Sequence, residues 1–94
     1  MKCFALMYDV VEGFSEKRAP FRDAHQKLVR DANGRGEIVS AGAIGDPAEG
    51  ALLIFRSADA SVAEAFARHD PYVINGLVRT WRVKPWNLVV GGSK

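Results

Sequence analysis

The chain has a single cysteine, Cys3, among its 94 residues. That excludes an internal disulfide and fits a reducing compartment. Long hydrophobic runs are missing too. Ala51-Leu52-Leu53-Ile54-Phe55 is far too short to span a bilayer. Cys3 to Tyr8 is apolar but stops at Asp9, short of a signal-peptide core and without a small-residue cleavage site. The expectation is a cytoplasmic protein with no membrane partner. An excess of one charge is lacking, since the net charge of +2 comes from residues spread along the chain, so nothing points to nucleic acid. Two histidines and one cysteine without ligand spacing give no metal site. Gly34-Arg35-Gly36 has neither the third glycine nor the following helix of a dinucleotide fingerprint, and no Gly-Lys-Ser/Thr phosphate loop exists. No cofactor is implied.

What is present suits one domain over residues 1–94, with 48% hydrophobic residues to build a core. At this size a lone core is only modestly stabilising, so an oligomer would help. The pattern reads β-α-β-β-α-β. Cys3 to Tyr8 is a strand. A helix is expected over about Glu16 to Ala32, with Phe21, Ala24, His25, Leu28, Val29 and Ala32 on one side and Ser15 as a cap. Pro20 conflicts with that cap, because proline is tolerated only in a first turn, so the regular helix can instead begin at Pro20. Asn33-Gly34 should end it in a left-handed cap. Glu37 to Ala43 and Ala51 to Arg56 are strands around an Asp46-Pro47 turn. A second helix, capped by Ser57 or Asp59 with Ser61 and Glu64 as a capping box further in, should line its inner side with Val62, Ala65, Phe66 and His69. Asp70-Pro71 stops it. Tyr72 to Gly76 forms a turn or an extra helical turn. Val78 to Val90 is a long last strand with a bulge or edge at Pro85, and Gly91 to Lys94 is a frayed tail.

This order gives an α+β, ferredoxin-like sandwich: a four-stranded antiparallel sheet with two helices on one face. Strands one and three are apolar on both faces, and two helices cover only one. The open sheet face therefore calls for a second copy of the chain, a homodimer of the dimeric α+β barrel type.

His25 is the most informative residue. Phe21, Leu28 and Val29 stand at i−4, i+3 and i+4 from it, so an imidazole shares a packed helical face with three apolar side chains. Such a histidine is more often structural, bonded to a backbone carbonyl. The functional alternative is a general acid/base. Asp70 is the candidate partner, provided the end of helix two lies beside the middle of helix one. Its plainer role is to stop a helix.

Lys17-Arg18, Arg22-Asp23-Ala24-His25, Gly36, Ala41-Gly42, Asp70-Pro71-Tyr72, Gly76-Leu77-Val78 and Val83-Lys84-Pro85 together resemble the YciI-like (YCII-related) family, almost end to end. The resemblance implies the ferredoxin-like dimer and an active site whose histidine–aspartate pair falls on His25 and Asp70. Elimination is the one chemistry it offers, through a related domain that dehydrochlorinates a hydroxylated aromatic. Gly42-Ala43 stands where members often have Gly-Pro. The short loop from Ile44 to Gly50 is expected to border the cleft. His69 reads as a surface residue.

Arg18 and Arg22 stand one turn apart. Solvated helix edges usually carry such charges, but a guanidinium fork also binds carboxylate or phosphate. With the resemblance, Arg22 is a substrate-binding candidate and Arg18 a second. Tyr72 either packs under helix two or closes the pocket with a phenol hydrogen bond, and Tyr8 and Ser40 are further wall candidates. Three readings follow. One is a cofactor-independent acid/base enzyme catalysing elimination, isomerisation or hydrolysis of a small anionic or phenolic molecule. Another is a non-catalytic metabolite-binding or regulatory module using the same pocket. The last, an RNA-recognition module, fails because Ala51 to Phe55 lacks the basic–glycine–aromatic pattern.

Overall fold

The computed structural model describes residues 1–91. The elements run β1 (Lys2–Val10), α1 (Phe14–Lys17), a 3-10 turn (Ala19–Phe21), α2 (Arg22–Gly34), β2 (Ile38–Ile44), β3 (Gly50–Ser57), α3 (Ser61–His69), α4 (Pro71–Ile74) and β4 (Val78–Pro85). The four strands form one antiparallel sheet in the order β2-β3-β1-β4. This is the ferredoxin-like sandwich. Among the described residues no helix is long and apolar enough to cross a membrane.

Strand alternation sets the two faces of the sheet. Phe4, Leu6, Tyr8 and Val10 of β1 point to the helices, and Leu53 and Phe55 of β3 stand opposite Leu6 and Phe4. With Phe66, Ala67, Ala32 and Ile38 they make the core. The register is fixed here, because a one-residue slip would send this whole set to the other face. That other face carries Ala5 and Met7 opposite Ile54 and Leu52.

Several local expectations are corrected. The first helix is not continuous from Glu16. Pro20 sits in the 3-10 turn, and regular α-helix starts only at Arg22, two residues beyond the proline. Ser15 lies inside α1 rather than before it, and the turn into α1 is made by Gly13 at φ 77°. Gly34 remains helical; the left-handed residue that reverses the chain is Gly36 at φ 81°. In α3 the buried stripe is Ala63, Phe66 and Ala67, while Ala65 and His69 face out, so the inner side is rotated by one residue from the expected one. The Ser61–Glu64 capping box does not form, because Asp59 takes the Ser61 N–H at 2.9 Å together with its hydroxyl. Ala24 is exposed. β4 stops at Pro85, which has no N–H to continue a ladder. Of the expected terminal tail only Gly91 is among the described residues.

Candidate functional site

The site begins with the way Asp70-Pro71 punctuates the chain. A residue before proline avoids the helical region, and Asp70 is extended at φ −70°, ψ 123°, ending α3. Pro71 then opens α4, where its missing N–H costs nothing. The Asp70 carboxylate caps this new helix by accepting the Tyr72 N–H on Oδ1 at 2.9 Å. It is fully buried, with 0% of its surface exposed. A buried carboxylate must find donors or leave the charged form. Tyr8, from the central strand β1, donates its hydroxyl to Oδ2 at 2.7 Å. His25, from the middle of α2, places Nδ1 2.9 Å from Oδ1 and 3.0 Å from Oδ2.

The end of α3 therefore does meet the middle of α2, and the His25–Asp70 pair is present. A carboxylate only accepts, so in the neutral ring Nδ1 carries the hydrogen. Nε2 is left with its lone pair. The ring is clamped from the side as well. It stacks on Tyr72 with centroids 4.0 Å apart and planes 17° from parallel, and Phe14 meets Tyr72 edge-on at 5.1 Å. Only 16% of the His25 side chain is exposed.

That exposed part opens on a cavity of about 270 Å³ between α2 and the β2–β3–β1 floor. Its walls include Tyr8, Arg18, Arg22, His25, Gln26 and Tyr72, and its floor uses the small residues Ala41, Ala43 and Ala51. Asp70 is not in the wall. It stands behind His25 and Tyr8, both of which line the cavity and hydrogen-bond to the carboxylate. Arg18 is steadied by its guanidinium, 5.6 Å over the Phe14 ring. The Tyr8 phenol is pushed far above its ordinary range, by burial first and then by the Asp70 charge and hydrogen bond, so it stays a donor. Tyr72 is also raised, chiefly by burial, with Arg18 and Arg22 pulling the other way.

Of the residues singled out in the sequence, His25, Arg22, Arg18 and Tyr72 converge on this cavity, and so does Tyr8. Ser40 does not line it. The loop after β2 reaches it only through Gly50, because Pro47, Ala48 and Glu49 border a separate hollow with Glu12 and Arg79. Gln26 and Phe14 were not anticipated. The floor had a signal in Ala41-Gly42-Ala43, a stretch without a large side chain on an edge strand, which leaves room above the sheet.

The sequence model of the YCII-related domain matches residues 1–87. The chain belongs to the YCII-related family. Among solved structures, this YCII-related chain is similar to 5-chloro-2-hydroxyhydroquinone dehydrochlorinase (TftG) from Burkholderia phenoliruptrix AC1100, in complex with 2,5-dihydroxybenzoquinone. The TM-score is 0.75 and the identity 19%, over 90% of this chain and 93% of that one. It is also similar to protein Atu4242 from Agrobacterium tumefaciens, with a TM-score of 0.53 and 20% identity over 93% and 92% of the two chains. At these identities the likeness is one of fold. No curated protein matches the chain.

Proposed function

We propose that this chain is a cofactor-independent acid/base protein acting on a small anionic or phenolic ring compound. One observation carries the reading. An imidazole tied through Nδ1 to a buried, fully satisfied carboxylate lines a cavity that carries two arginines. Nε2 of His25 takes a proton from the substrate. Asp70 fixes the tautomer and steadies the imidazolium that forms, as a positioning residue. Arg22 and Arg18 hold the anionic group, and Tyr72 closes the pocket.

The size of the cavity limits the substrate. A space of ~150 Å³ holds benzene, so about 270 Å³ takes one substituted ring and little more. Elimination is the reaction we favour among those that begin with proton abstraction, since a chain of the same fold dehydrochlorinates a hydroxylated ring. The proton goes to His25 and the departing anion leaves through the mouth. We further propose a homodimer through the open sheet face, a single domain over the chain, and a cytoplasmic setting that suits the free thiol of Cys3.

Chloride release from chlorinated hydroxyhydroquinones, measured by ion chromatography with wild-type protein and His25→Ala, tests this. Turnover by wild type that falls about 100-fold or more in the variant is expected, the usual weight of a general acid/base. Tight ring binding with no turnover of any chlorinated or isomerisable ring would replace the enzyme with a metabolite-binding module.

A further inference from the structure

The polar groups that line the cavity are unevenly supplied with partners. His25 spends Nδ1 on Asp70, Tyr8 spends its hydroxyl on the same acid, and Gln26 accepts from Arg30 at 3.4 Å. The Tyr72 ring is buried, and its hydroxyl has no hydrogen-bond partner among the described residues. Arg18 and Arg22 likewise form no ion pair among the described residues. None of the described side chains lining the cavity is acidic. The Tyr72 oxygen is not sealed in the core, since no buried side-chain polar atom among the described residues lacks a partner, so as a wall of the cavity it is free to donate to a molecule held there. This phenol sits within the field of two guanidiniums, whose pull on its proton is outweighed by burial.

We propose that the Tyr72 hydroxyl, backed by Arg18 and Arg22, is a seat for an ionised oxygen borne directly on a planar ring: a phenolate or an enolate. This rests on reading the cavity as the ligand site, and it names what the cavity takes. The ring of such a ligand lies over the alanine floor. Its oxygen accepts from Tyr72, and a second ring position is left facing Nε2 of His25. A guanidinium alone would take any carboxylate or phosphate. A phenol donor in an apolar slot selects a single oxygen close to the ring plane, and it favours the ionised form, because a hydrogen bond to a charged acceptor is the stronger one.

The test uses 4-nitrophenol, whose anion absorbs visible light, and 4-nitroanisole, its methyl ether, which cannot ionise. Wild-type protein should bind the phenolate at least tenfold more tightly than the ether, and should raise the visible absorbance of 4-nitrophenol in a buffer where the free compound is mostly neutral. Tyr72→Phe keeps the stack on His25 and the edge contact with Phe14, and it removes an atom that has no protein partner, so its melting temperature should match wild type. It should lose about tenfold in phenolate affinity, the worth of one hydrogen bond to a charged group, together with most of the absorbance change. Its affinity for the ether should not move. Equal phenolate affinity in wild type and Tyr72→Phe would overturn the proposal, as would a wild type that binds the ether as well as the phenolate. The acid/base reading fails separately: a protein that seats the phenolate through Tyr72 and turns over no ring compound loses its enzyme role and keeps this ligand class.

Discussion

Tyr8 shows how far one side chain can commit a fold to a site. It comes from the central strand, and it reaches across 62 positions of sequence to donate to Asp70. Burial, the neighbouring charge and that bond all hold its proton on. The folded-state value lies above the unfolded one of about 10. The resulting stabilisation is fully present below about pH 10 and falls away as pH climbs toward the folded-state value, at ~1.4 kcal/mol per pH unit for one retained proton. Tyr8→Phe should be less stable than wild type at neutral pH by about 1–3 kcal/mol, because a buried carboxylate loses a donor. Its denaturation midpoint should then decline less above pH 10 than that of wild type. Parallel decline of the two midpoints would show that the phenol proton is not what alkali removes.

At the scale of elements, the two glycines at the end of α2 separate a helical position from a chain reversal. Gly36 carries the positive φ, and Gly34 is an ordinary last helical residue with open space where a Cβ would stand. Gly36→Ala should cost about 1 kcal/mol for strain in the left-handed region. Gly34→Ala should be neutral or gain up to about 1 kcal/mol from helix propensity. Thermal melts of both variants check the contrast, and equal destabilisation would put the reversal at the wrong glycine. These elements also show what could be read in advance. The face of α2 was legible because Phe21, Leu28 and Val29 leave one side for His25. The Asp70-Pro71 stop was legible because the residue before a proline is biased out of the helical region. The phase of α3 was not: Ala63, Ala65 and Ala67 alternate, and alanines do not say which side of a helix is inside. Nor could β1 announce that Tyr8 meets Asp70. Alternation says which face a residue takes, and nothing about which distant side chain waits there.

For the whole molecule, the proposed homodimer turns on the sheet face that the helices leave uncovered. Cys3, Ala5, Met7 and Leu52 are only half-buried in one chain, on the side away from the helices. Such a face is costly to leave in water, at ~25 cal/mol for each Å² of apolar surface. Under the proposed homodimer, wild type should sediment at twice the chain mass. Leu52→Glu, which puts a charge at the centre of that face and leaves the helix side untouched, should sediment as a monomer with an unchanged far-ultraviolet spectrum. A wild-type monomer at micromolar concentration would remove the dimer from the proposal. The cavity lies on the opposite face of the sheet, so ligand affinity measured in Leu52→Glu reports whether assembly and recognition are coupled.

One residue, Asp70, closes α3 with its backbone, and its carboxylate caps α4 and aims an imidazole. Anyone wishing to silence the proposed chemistry while preserving an intact shell should therefore edit the histidine. Editing the acid would unfasten a joint of the scaffold at the same stroke, and an inert variant made that way would leave no means of telling a lost reaction from a loosened hinge.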